Sequence, residues 1–99
     1  MSDLLPPVTP GEILKEEFME PHGISANRLA RDIDVPANRV SEIIAGRRSI
    51  TADTALRLGA YFDIEPQFWL NLQTHHDLRV ATRESGPIIA QRVRPLHAA

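Results

Sequence analysis

The chain has no cysteine among its 99 residues. That excludes a disulfide framework and any thiolate-based metal or redox site, and it accords with a reducing, cytoplasmic compartment. No apolar run approaches the ~18 residues that a membrane helix requires. No basic stretch leading into an apolar core reads as a signal peptide. The expectation is a soluble cytoplasmic protein with no membrane contact. Sustained apolar–polar alternation is also missing, so strands are not expected. Catalytic constellations are lacking too: there is no HExxH motif, serine elbow or phosphate loop. His75, His76 and Asp77 are contiguous, and neighbouring helix residues point about 100° apart, a poor chelate. No enzyme activity, metal or cofactor is expected.

What is present is an uneven charge distribution. The net charge is −2, which gives no global pull toward nucleic acid. Before residue 25, however, Asp3, Glu12, Glu16, Glu17 and Glu20 stand against Lys15 alone. Across 25–57, Arg28, Arg31, Arg39, Arg47, Arg48 and Arg57 outnumber Asp32, Asp34, Glu42 and Asp53. An acidic head therefore precedes a locally basic middle.

Apolar spacing predicts an all-α chain of five helices. Thr9 caps a first helix from Pro10 to Met19, with Leu14 and Phe18 on one face. Ser25 caps a second, ending at Ile33, whose inner stripe is Ala26, Leu29, Ala30 and Ile33. The third spans Pro36 to Ala45, with Val40, Ile43 and Ile44 inward and Gly46 in the left-handed position beyond it. Thr51 caps a fourth, with Ala52, Ala55, Leu56, Gly59 and Phe62 inward. The fifth runs from Pro66 to about Arg83. Residues 1–83 read as one domain. Residues 84–99, opened by Ser85-Gly86-Pro87, read as a flexible C-terminal tail.

Residues 25–46 carry the functional signal. Two short helices meet across a tight turn, with small Ala30 at the crossing and Leu29, Ile33, Val40 and Ile43 fixing the angle. That is the pattern of a helix-turn-helix, whose second helix enters the major groove. Ala37, Asn38, Arg39 and Ser41 open that helix on the face away from the core. Asn pairs bidentately with adenine, Arg with guanine, and Ala can touch only a thymine methyl. Arg39 has a rival role as an ion pair with Glu42, three residues on. Arg47, Arg48 and Thr51, with Ser25 and Asn27 at the start of the second helix, suit the phosphate backbone. Asp34 occupies a turn position where Gly is common. Asp tolerates the left-handed conformation better than most residues.

The run ANRLARDIDVPANRVSEIIAGRRSITADTALRLGAYFDIEPQFWLNLQ, with PPVTPGEILKEEFMEPHGIS before it, resembles the HigA-type antitoxins of the phage-repressor-like helix-turn-helix (XRE) group. The resemblance covers about residues 7–82. It implies an all-helical homodimer that represses its own operon and neutralises a HigB-type ribonuclease toxin. A stand-alone repressor without a toxin would present the same DNA motif. Phe68, Trp69 and Leu72 on the fifth helix are candidates for the dimer interface, since aromatics are enriched there. Two recognition helices would then lie about 34 Å apart, matching a palindromic operator. Toxins of this kind are basic because they bind messenger RNA, so the acidic face of Glu12, Glu16, Glu17 and Glu20 is the candidate toxin-binding surface.

Overall fold

A computed structural model describes residues 7–97. Asp3 of the acidic head and the final two residues of the expected tail lie outside the described residues. Among the described residues there are five helical elements and no strands. The first, α1, is α-helical over Pro10–Ile13, widens to a π-helix over Leu14–Met19 and closes in a 3-10 turn over Glu20–His22. It is followed by α2 (Ala26–Asp32), α3 (Ala37–Ile44), α4 (Ala52–Phe62) and α5 (Pro66–Arg92).

The start of α1 follows from its sequence. Thr9 Oγ1 accepts from Glu12 N–H at 3.1 Å, and Pro10 occupies a position where no N–H is needed. Gly11 then lies against the end of α3. A Cβ at this position would collide with the Ile43 carbonyl, so only glycine lets the two backbones meet. The wide π-turn has a packing consequence: Leu14 and Met19, five residues apart, are both buried. Met19 would lie well round the helix from Leu14 in a regular α-helix.

The core joins Leu14, Met19, Leu29, Ala30, Ile33, Val40, Ile43, Ile50, Ala55, Leu58 and Trp69. The inner faces expected for α2 and α3 are thus the observed ones. The face expected for α4 needs correction. Thr54, Ala55, Leu58 and Gly59 point inward, whereas Ala52 and Leu56 are exposed. Ala55 and Gly59 belong to both stripes, and a buried polar residue, Thr54, disguised the true one.

The end of α5 also needs correction. The helix does not stop near Arg83 but continues through Gly86 and Pro87 to Arg92. A proline ring normally clashes with the Cβ and N–H of the residue before it. Here that residue is Gly86, which has no Cβ, so half of the obstacle is absent. From Asp77 to His97 every residue except Val80 and Gly86 is exposed. The 27-residue helix is about 40 Å long at 1.5 Å per residue, which accounts for most of the 55 Å long axis of the molecule.

A third correction concerns Trp69. It is fully buried, with its ring centroid 4.7 Å from Phe18, 5.1 Å from Phe68 and 6.0 Å from Phe62. It knits α1, α4 and α5 together and has no surface to offer a second chain. Phe68 and Leu72 are half-buried against the same core.

Candidate nucleic-acid interface

The turn between α2 and α3 is built from local signals. Ser25 Oγ accepts from Arg28 N–H at 3.1 Å and starts α2. Asp34 takes the left-handed conformation, φ 60°, as expected of an Asp standing where Gly is common. Val35 N–H then donates back to the Ala30 carbonyl at 3.0 Å, closing a Schellman-type turn. A distant side chain completes it. Arg57, on α4, donates from Nη1 to the Ile33 carbonyl at 2.8 Å and to the Asp34 carbonyl at 3.0 Å. The turn that sets the pitch of α3 is thereby pinned from outside the motif.

On α3, Val40 and Ile43 face the core while Ala37, Asn38 and Ser41 are exposed. The Ser41 hydroxyl donates to the Asn38 carbonyl at 3.2 Å. Ser25 and Ser41 line one shallow groove with Ala26 and Ile44, so the start of α2 flanks the exposed side of α3. Asn27 is exposed near that start.

Arg39 is not paired with Glu42. Its Nη1 lies 3.1 Å from Asp53 Oδ2, and the same oxygen accepts from Arg57 Nε at 2.9 Å. Glu42 instead holds Arg48, whose Nε and Nη2 both lie 2.8 Å from Oε1. The chain reversal after α3 explains the exchange. Gly46 adopts φ 78°, Arg47 N–H donates to the Glu42 carbonyl at 2.9 Å, and Arg48 is carried back beside Glu42. The loop is then fixed to α5, because Ile50 N–H donates to Gln73 Oε1 at 2.8 Å. Thr51 caps α4 and is itself exposed. The Arg47 side chain is exposed and makes no ion pair or hydrogen bond among the described residues. Surface ion pairs such as Arg48–Glu42 are weak, so Arg48 can exchange its partner for a phosphate.

Asp53, Arg57 and Gln73 brace the site through these contacts, a part that the sequence reading did not single out. The i,i+4 spacing of Asp53 and Arg57 was a legible signal for their mutual pair. Nothing local linked either to Arg39 or to the turn.

A second tie joins α2 to α4: the Tyr61 hydroxyl donates to Asp32 Oδ2 at 2.7 Å. This bond is the main reason that the Asp32 carboxyl sits below its usual value of 3.8; burial opposes it, and Arg28 assists. The partner phenol is pushed above its usual 10.0, chiefly by the same bond. A depressed carboxylate stabilises the fold above its unfolded pKa and loses that contribution as pH falls through its folded value. Tyr61→Phe is therefore expected to cost stability at neutral pH. The deficit relative to the unsubstituted chain should shrink between about pH 5 and pH 2 in urea titrations. A deficit that stays constant across that range would rule this out.

Glu12, Glu16, Glu17 and Glu20 are all exposed along α1, although Glu12 also receives the Thr9 hydroxyl at 3.4 Å. Among the described residues no group of three His, Cys, Asp or Glu is placed to hold a metal ion, and no helix is long and apolar enough to cross a membrane.

Comparison with known proteins places this architecture. A family model described as helix-turn-helix matches residues 15–69. Virulence-associated protein I of Dichelobacter nodosus is 48% identical over 84 residues, covering 85% of this chain and 78% of that protein. Antitoxin HigA-1 of Vibrio cholerae is 43% identical over 90 residues, covering 91% of this chain and 84% of that one. The solved structure of the Pseudomonas aeruginosa antitoxin HigA with the higBA promoter superposes with a TM-score of 0.88 at 44% identity. It covers 91% of this chain and 98% of the other. With its Schellman-closed turn, its polar α3 face and these relatives, the chain belongs to the HigA-type antitoxins of the phage-repressor-like helix-turn-helix family.

Proposed function

We propose that the chain binds operator DNA at its own operon as a homodimer, represses that operon, and neutralises a cognate HigB-type ribonuclease toxin. The observation that carries the DNA-binding part is the exposed opening of α3. Asn38 presents an amide with no side-chain partner among the described residues, Arg39 stands beside it, and the Arg47–Arg48 loop follows directly. Asn38, Arg39, Ser41 and Ala37 would meet base edges, and Ser25, Asn27, Arg47, Arg48 and Thr51 the flanking phosphates. The Pseudomonas aeruginosa relative, solved with its promoter, supports this reading.

The homodimer rests on the need for two half-sites and on the outer part of α5. Phe68 and Leu72 are half-buried at its base, while Leu78, Ile88, Ile89 and Val93 stand exposed further out. The outer turns of α5, which contain Gly86 and Pro87 and are exposed almost throughout, are marginal alone in water. A second copy packed along it supplies the missing contacts.

The toxin part rests on family membership and on charge. Glu16, Glu17 and Glu20 form an exposed acidic surface on α1, with Glu12 at its edge, and a basic ribonuclease complements it. The test is binding of the full chain to the DNA upstream of its gene, with and without the product of the neighbouring reading frame. Specific binding together with a complex between the two proteins supports the proposal. Specific binding without such a complex identifies a stand-alone repressor.

Double reversal, Glu16→Lys with Glu20→Lys, is expected to slow toxin association at low salt by about tenfold or more, the scale of electrostatic steering. DNA binding should persist, because both residues lie outside the recognition motif. Stopped-flow association rates across a salt series give the answer. An unchanged rate would move the docking site away from α1.

A further inference from the structure

We infer that Asp53 is a positioning residue for DNA reading: it fixes Arg39 against the α2–α3 turn, so that the recognition helix discriminates between bases. The inference rests on the proposed base-reading role of Arg39.

Three features of the structure carry it. Asp53 Oδ2 accepts from Arg39 Nη1 at 3.1 Å and from Arg57 Nε at 2.9 Å. Arg57 in turn donates from Nη1 to the Ile33 and Asp34 carbonyls. A continuous chain of charge-assisted contacts thus runs from the turn, through α4, to the first turn of α3. The second feature is economy of donors. A guanidinium has five N–H groups, and the Asp53 contact occupies one nitrogen of Arg39 while leaving Nε and Nη2 for the acceptors of a guanine edge. The third is exposure. The Arg39 side chain is 29% exposed while Asp53 is 58% exposed, so the acid faces the solvent from which DNA would approach.

A lone carboxylate there would repel phosphate. Two arginines on one oxygen offset its charge, and what remains is geometric control. Arg39 otherwise has several rotatable bonds to immobilise on binding. Holding it beforehand favours the one pose that fits its base over the many that merely touch a phosphate.

The experiment uses the full chain and two duplexes: the DNA directly upstream of its gene and a shuffled duplex of equal composition. Affinities for both are measured for the unsubstituted chain, Asp53→Asn, Arg39→Ala and the double variant, with a thermal melt of each to confirm folding. Asp53→Asn is nearly isosteric and lies on the surface. It is expected to lower the ratio of the two affinities about five- to tenfold, a fraction of the discrimination that a full bidentate contact provides. Affinity for the shuffled duplex should rise or hold, since a negative charge is lost. In the Arg39→Ala background the same change should leave the ratio unaltered, because Asp53 acts through Arg39. Should Arg39→Ala lower the ratio while Asp53→Asn does not, Asp53 has no positioning role. Additive losses in the double variant would equally overturn it. An Arg39→Ala ratio equal to that of the unsubstituted chain would instead remove the base-reading role itself, and the inference with it.

Discussion

Trp69→Ala is expected to remove about 3–5 kcal/mol of stability, a large share of the roughly 5–15 kcal/mol available to a domain. The indole is completely buried and contacts rings from α1, α4 and α5. Truncation opens a cavity at the one point where those three elements converge, and Phe18 and Phe62, 5.3 Å apart, cannot both shift to fill it. Trp69→Phe should cost much less. It keeps an aromatic ring in place and removes an indole N–H that has no partner among the described residues, a group that is costly to bury. Urea unfolding followed by circular dichroism decides the matter, since Trp69 is the single tryptophan and its fluorescence disappears with it. Equal losses for both variants would contradict the cavity argument.

Ile88→Glu combined with Ile89→Glu should dissolve the proposed dimer and weaken operator binding by about 10²–10⁴-fold, the gain normally given by linking two binding modules. Both side chains are more than half exposed, at 57% and 52%, so the substitution leaves the core of the single chain intact. Charges on the outer part of α5 would meet their own copies across a two-fold axis. Each recognition helix would then hold one half-site unaided. Sedimentation should show a monomer at concentrations where the unsubstituted chain is dimeric, and circular dichroism should show that the variant remains folded, with a melt lowered by no more than the lost dimer contacts. A dimer that survives the double change would place the interface elsewhere on α5, near Phe68 and Leu72.

The helix-turn-helix was legible because its determinants are local. Cap residues Ser25 and Thr51, the left-handed Asp34 and Gly46, and the stripe of Leu29, Ala30, Val40 and Ile43 all act within a few residues of themselves. What escaped were effects settled by tertiary contacts. Leu56 and Leu58 are equally apolar, yet packing within the core covers Leu58 and leaves Leu56 exposed. Trp69 has the composition of an interface residue, but Phe18, fifty-one positions earlier, encloses it. Arg39 has a suitably spaced acid in Glu42, yet the return of the loop gives that acid to Arg48 and leaves Arg39 to Asp53. Gly86-Pro87 punctuates most helices; here the glycine removes the Cβ part of the clash that the proline would cause, and α5 continues past it.

The proposed reading of DNA divides the labour, so that α3 reads bases and the loop after it holds phosphate. It is tested most directly by titrating operator and shuffled duplexes with Arg39→Ala and Arg48→Ala across a salt series. Arg39→Ala should lose about 1–3 kcal/mol on the operator alone, with the salt slope retained. Arg48→Ala should weaken binding to both duplexes alike and flatten the slope by about one unit. Equal loss on both duplexes for Arg39→Ala would contradict the account.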